Sequence, residues 1–245
     1  MLTDCDALIV GAGPTGLMLA LWLTRLGVRA LIFDKTSALG TTSRARAVQA
    51  RTLELYRQLG IAEAVVEKAH NVPAVNFWTR GERRARIALE DVGTGLTPYP
   101  ATRIFPQDEH ERLLIEDLSG LGVLVERETE LVGFTDKGEC VAASLRHAGA
   151  EVESCEAPFL CGRDGARSLV RETLGTGFPG GDYARIFYVA DVEASGPPID
   201  GELHVDLDEV DFLAVFPLKW QGARAWSSRC AMSAPNMRKS CASRA

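Results

Sequence analysis

Ala7-Leu8-Ile9-Val10-Gly11-Ala12-Gly13-Pro14-Thr15-Gly16-Leu17 is an apolar run that turns through three glycines into a helix-forming stretch. The spacing is the one a dinucleotide pyrophosphate requires. Gly11 permits a tight turn out of a strand, and Gly13 lets the backbone approach the phosphates with no Cβ between. Gly16 lets the helix pack closely on the strand, and Pro14 and Thr15 complete the turn at the helix N-terminus, whose N–H groups face the anion. Taken alone, G-x-G-x-x-G is a weak sign, because a phosphate-free βαβ turn has the same letters. Here it sits in context: a helix is expected over Thr15–Gly27, and a second strand, Ala30–Phe33, ends at Asp34. That acid lies about 20 residues beyond the glycines, where ribose hydroxyls are read.

The chain has 245 residues, 46% hydrophobic, enough for one large domain or two small ones with a packed core. Six cysteines (Cys5, Cys140, Cys155, Cys161, Cys230, Cys241) and four histidines are scattered without metal-ligand spacing. No metal site is expected, and reduced thiols in a cytoplasmic protein are the plain reading. The first ten residues hold two aspartates and no basic segment, so no signal peptide or membrane span is expected. A net charge of −6 argues against a nucleic-acid partner. The charge is uneven: residues 219–245 hold six basic residues and no acid.

Beyond Asp34 the pattern predicts a helix ending at Leu59, a short helix over 61–70 and a hairpin of 75–79 with 85–89 around Gly81. An amphipathic helix follows over Gln107–Leu121. Four short strand-like segments between Val123 and Cys155 fit an antiparallel meander, and Phe159–Gly162 is a buried strand running into a helix from Ser168 to Leu174. Phe187–Val192 and Phe212–Phe216 read as strands of a second sheet.

Three features now stand in order: Gly11–Gly16, Ser43-Arg44-Ala45-Arg46, and Arg163-Asp164-Gly165-Ala166-Arg167-Ser168 ahead of Val170-Arg171. With Arg51-Thr52-Leu53-Glu54 and Gly177-Phe178-Pro179-Gly180, the set resembles the single-component flavoprotein aromatic hydroxylases related to para-hydroxybenzoate hydroxylase and to polyketide-tailoring hydroxylases. The resemblance covers roughly residues 5–218. It implies an α/β fold: a Rossmann-like FAD-binding domain (1–73 and 101–176) with an interleaved β-sheet substrate domain (74–100 and 177–218), lacking the C-terminal part of the family fold.

The resemblance implies that Gly11, Gly13 and Gly16 hold the FAD pyrophosphate and that Asp34 accepts the ribose hydroxyls, where the family usually has glutamate. Lys35 would lie by the adenosine, or simply be solvated. Arg44 resembles an arginine that helps hold FAD and Arg46 one linked to the nicotinamide cofactor; without the resemblance they read as exposed arginines before a helix. Gln107 matches a glutamine on the flavin side, otherwise an ordinary first helix residue. Asp164 and Gly165 match a turn that touches FAD near the approach of NAD(P)H; alone, Asp-Gly is only a turn signal. Arg163 departs from the small residue or cysteine usual there. The implied activity is monooxygenation of an aromatic or polyketide substrate with NAD(P)H and O2. Related flavoprotein dehydrogenases or reductases, and a non-catalytic remnant, are the rival readings. No catalytic residue is assigned; His110, His147 and His204 are expected on helix or strand surfaces. An apolar sheet face carrying Phe187, Val189, Val205, Phe212 and Phe216 would meet the substrate, although core packing explains the same residues. Oligomeric state is left open.

The family's second flavin motif, Gly-Asp-Ala-Ala-His, has no counterpart here, so FAD affinity and turnover are expected to suffer. Read one base out of register with GC-rich codons, Ala225–Ser233 can spell Leu-Val-Val-Ala-Val-Arg-Asp-Glu, and the single-codon residues Trp226 and Met232 both cooperate. The expectation is that a frameshift near Gly222 makes 219–245 an aberrant basic tail; a basic tail for an acidic partner is the other reading.

Overall fold

The computed structural model describes residues 5–39, 47–149, 151–181, 187–193, 199–209, 211–218 and 227–233, the backbone alone for 187–193 and 227–233. In chain order the elements are β1 (Ala7–Val10), α1 (Pro14–Arg25), β2 (Ala30–Phe33), β3 (Ala47–Val48), α2 (Ala50–Gln58), α3 (Ala62–Lys68), β4 (His70–Asn71), β5 (Ala74–Thr79), β6 (Glu82–Ala88), β7 (Arg103–Ile104) and α4 (Gln107–Gly120). They continue with β8 (Val125–Glu126), β9 (Thr129–Asp136), β10 (Val141–His147), β11 (Val152–Ala157), β12 (Phe159–Gly162), α5 (Leu169–Thr173), β13 (Phe187–Glu193), β14 (Leu203–Leu207), β15 (Phe212–Leu218) and β16 (Ser227–Ser233).

The chain divides into two compact units. The first comprises Met1–Arg44 with Gln107–Gly180, the second Ala45–Pro106 with Gly181–Ala245. Set beside the expected division, 45–73 and 101–106 lie in the second compact unit and 177–180 in the first. For the first two stretches the reason is local: β3 and β4 both pair with β7, which binds them into one small sheet.

In the first unit, β12-β1-β2-β8 form a parallel sheet. A parallel strand is covered on both faces, which is why β1 is a continuous apolar run with all four residues buried. Helix α1 buries Gly16, Leu17, Ala20 and Leu21 and packs on β1, β2 and α4. The antiparallel meander β9-β10-β11 joins the sheet through Leu8, Val10, Phe33, Leu131, Ala143, Leu145, Cys155, Ala157 and Val170. Full burial of side chains such as Leu8 and Phe33 contributes about 1.5–3 kcal/mol each.

In the second unit, β13-β16-β15-β14-β5-β6 form one sheet, antiparallel except where β14 runs alongside β5. The hairpin of β5 and β6 turns at Arg80 and Gly81, both at positive φ (55° and 78°). That is the signature of the primed turn whose twist matches the strands. The basic segment expected as an aberrant tail contributes β16, which pairs with both β13 and β15. Strand pairing uses main-chain N–H and C=O groups, so a segment with little apolar pattern can fill a sheet position. Among the described residues no helix is long and apolar enough to cross a membrane.

Candidate functional site: a glycine-turned helix end beside two acidic turns

The first unit brings most of the expected residues together. Strand β1 ends at Gly11, whose φ of +99° suits glycine alone. A Cβ there would meet the Arg163 carbonyl oxygen at 2.4 Å, and one at Gly16 would meet the Gly11 carbonyl oxygen at 1.9 Å. At Gly13 a Cβ would meet nothing within 4 Å. Gly11 and Gly16 are therefore demanded by packing, whereas Gly13 keeps an outward face open. Gly13 is the N-cap of α1 with no side-chain cap, and the first turn carries no acid. Its N–H groups, with Thr15 exposed beside them, suit an anionic pyrophosphate. A dinucleotide fits this cradle.

Asp34 ends β2 and is tied back to the glycine loop. Its Oδ2 accepts from the Ala12 backbone N–H at 2.7 Å, and its Oδ1 from the Thr36 N–H at 2.8 Å and hydroxyl at 2.6 Å. Burial pushes the Asp34 carboxyl up, but hydrogen bonds from Thr36 and Ala12 and the charge of Arg127 outweigh this and hold it below its ordinary 3.8. A lowered folded pKa stabilises above the unfolded value and loses that contribution as pH falls through the folded one. Asp34→Asn is therefore expected to cost roughly 1–2 kcal/mol at neutral pH and to flatten the acid limb of the stability curve below about pH 4, measured by urea unfolding at successive pH values. Lys35 is exposed.

Gln107 opens α4, and its Nε2 donates to Glu111 Oε1 at 2.7 Å. Glu111 is buried; burial raises its carboxyl above the usual range against the opposing pull of Gln107 and Arg127. The first-unit polar cluster is thus larger than expected, since Thr36, Glu111 and Arg127 join Asp34 and Gln107. Nothing in their spacing marked them.

The second acidic turn follows β12. The Arg163 N–H donates to Val10 O at 2.8 Å, which sets the turn directly beside Gly11. Asp164 faces into its own turn. Oδ1 accepts from the Ser168 hydroxyl at 2.5 Å and Oδ2 from the Leu169 N–H at 2.7 Å. Ser168, the N-cap of α5, accepts from the Arg171 N–H at 3.1 Å. Ser168→Ala is expected to cost about 1 kcal/mol, as loss of an N-cap does, seen as a lower midpoint in urea. Its signal was the serine ahead of the apolar Leu169-Val170 pair.

Other expectations are corrected or lie elsewhere. Arg44 and Arg46 lie outside the described residues, as do the side chains of Phe187 and Val189. His204 is not on a surface: it is 4% exposed, accepts from Trp78 Nε1 at 3.0 Å and meets Asp200 at 2.8 Å. The strand face that carries it is covered by the 200–202 loop, where Glu202 receives Asn76 Nδ2 at 2.7 Å. His147 is held between Thr129 and Glu153, and burial pushes His110 down to about 4. Phe216 packs with the buried Val72, Ile104 and Leu218, so core packing accounts for it.

A protein-family profile described as "FAD binding domain" matches residues 4–242. The chain belongs to that FAD-binding family. This FAD-binding domain is 41% identical over 187 residues to the 6-methylpretetramide 4-monooxygenase of Streptomyces rimosus, covering 76% of this chain and 33% of that protein. It is 37% identical over 195 residues to a flavin-dependent monooxygenase of Mycobacteroides abscessus, covering 77% and 41%. Among solved structures, p-nitrophenol 4-monooxygenase from Pseudomonas putida superposes with a TM-score of 0.87 at 22% identity, over 98% of this chain and 60% of that one. That likeness shows the fold. Aklavinone-11 hydroxylase in complex with FAD and aklavinone superposes at 0.80 with 26% identity, over 95% and 46%. The FAD-binding domain therefore spans about a third to two fifths of the length of these two curated relatives.

Proposed function

We propose that this chain forms the FAD-holding part of a cytoplasmic monooxygenase that hydroxylates an aromatic or polyketide substrate with NAD(P)H and O2. The observation that carries the reading is the open N-terminus of α1, framed by Gly13 and braced by Asp34 through Ala12. The relatives supply the reaction class, since by name they are a 6-methylpretetramide 4-monooxygenase, a flavin-dependent monooxygenase and an aklavinone hydroxylase.

On this reading Gly11, Gly13, Pro14, Thr15 and Gly16 shape the pyrophosphate cradle, with α1 N–H groups as donors. Asp34 accepts ribose hydroxyls while its loop contacts hold it ionised and oriented; Lys35 lies by the adenosine. Gln107 is aligned by Glu111 on the flavin side. Asp164 makes the Gly165 turn rigid, so that its backbone can serve FAD and the approach of NAD(P)H. Arg44 holds FAD and Arg46 the nicotinamide cofactor. The sheet face bearing Val205 and Phe212 offers apolar contact to an aromatic ring. FAD, when bound, supplies the redox chemistry that links NAD(P)H to O2.

The test is to titrate the purified chain with FAD and follow the visible flavin spectrum. NAD(P)H and a panel of phenols and polycyclic polyketides are then added, and O2 uptake and product mass recorded. A perturbed flavin spectrum and a product heavier by one oxygen atom are expected. NAD(P)H consumption without oxygenated product would replace oxygenation by a reductase activity, and an unperturbed spectrum would sink the flavin reading.

A further inference from the structure

Arg171, the third residue of α5, reaches back into the turn that precedes its own helix. Its Nη2 donates to Ala166 O at 2.7 Å and its Nη1 to Gly165 O at 3.2 Å. One planar fork thus holds two consecutive carbonyls and fixes two peptide planes at once. Gly165 sits at φ +83° and is the residue of the turn with most conformational freedom to restrain. The same guanidinium lies over the ring of Phe178, 4.5 Å from its centroid. Phe178 is a large aromatic left 72% exposed, in the short stretch by which the chain leaves the first unit after Gly180. The Thr176 N–H donating to Arg171 O at 3.2 Å ties this stretch to α5 a second time.

We infer that Arg171 is a positioning residue that couples the Asp164–Gly165 turn to the exit segment through Phe178. The geometry the turn offers to FAD then depends on a ring outside the turn. This rests on the FAD reading above, which assigns the turn to the cofactor. An arginine is required rather than any cation, because lysine cannot bridge two carbonyls and lie flat on a ring. Coupling of this kind is reciprocal: FAD held at the turn also steadies the exit segment.

The experiment uses the whole chain with Phe178→Leu, Arg171→Gln and the double variant. FAD dissociation constants are read from flavin fluorescence at fixed salt. Amide hydrogen exchange at Leu169–Arg171, whose N–H groups are held by Asp164 and Ser168, is read without ligand. Phe178→Leu is expected to weaken FAD by about two- to five-fold, the scale of an exposed cation–π contact, and to speed exchange at those amides. Arg171→Gln should do more, and the double variant no more than Arg171→Gln alone. An unchanged affinity and exchange in Phe178→Leu would overturn the coupling, as would additive effects of the two substitutions. If the unsubstituted chain takes up no FAD, the functional reading fails, while the exchange measurement still decides whether Phe178 acts on the turn.

Discussion

Gly16→Ala is expected to lower the melting temperature by roughly 10 °C and to abolish FAD retention, an effect of about 3 kcal/mol. The methyl group would sit 1.9 Å from the Gly11 carbonyl oxygen. Neither partner can yield. Gly11 is pinned by its N–H bond to Phe33 O at 2.8 Å and by its close pass to Arg163, and α1 is packed on β1, β2 and α4. Most of the cost is therefore overpacking between backbone segments, where no rotamer change offers relief. Calorimetry on the variant checks this. A melting temperature within 2 °C or so of the unsubstituted chain would show that the strand–helix approach is looser than the geometry requires.

Gly13→Val should do the reverse: leave stability within about 0.5 kcal/mol and weaken FAD by about 100-fold. Gly13 has φ −74° and ψ 177°, which any residue adopts, and a Cβ meets nothing within 4 Å. The fold has no use for a glycine there; on the function proposed above, an approaching pyrophosphate does. Displacing it from two N–H donors forfeits about 3 kcal/mol of charge-assisted hydrogen bonding. Fluorescence titration with FAD alongside a melting curve separates the two glycines. Unchanged affinity in Gly13→Val would mean that the phosphates lie elsewhere.

The contrast between these glycines marks how far sequence could be read. Spacing identified the motif and assigned Gly11 and Gly16 to the fold and Gly13 to the phosphates, but it could not name the groups that leave the first two no room for a Cβ. Arg163, well over a hundred residues away, is one: its carbonyl crowds Gly11 and its Cβ lies near Gly16. Strands β1, β2 and β12 were legible because each is a continuous apolar run; two-sided burial accounts for β1, whereas β12, expected to be buried, lies at the sheet edge with Phe159 66% exposed. The two-residue strands β3, β4 and β7 were not, since only their partners define them. Asp34 was found by its distance from the glycines, but its grip on Ala12 was not. Likewise Asp164 was read as part of a turn that touches the cofactor, but the engagement of its carboxylate by Ser168 and Leu169 was not. His204 was read as a surface residue because one polar residue in an alternating strand usually is; the loop carrying Asp200 and Glu202 buries it.

Glycine spacing was enough to mark a dinucleotide cradle, and the resemblance carried by three ordered motifs pointed to FAD, because those features are local and the chain writes them consecutively. Tertiary structure decided what each polar side chain does. A polar group's role is set by the partners that reach it, and several of these come from other turns and strands: the Ala12 N–H for Asp34, the Val10 carbonyl that accepts from the Arg163 N–H beside Asp164, and the Trp78 indole N–H for His204. Such pairings are distant in sequence and exist only once the sheets have closed.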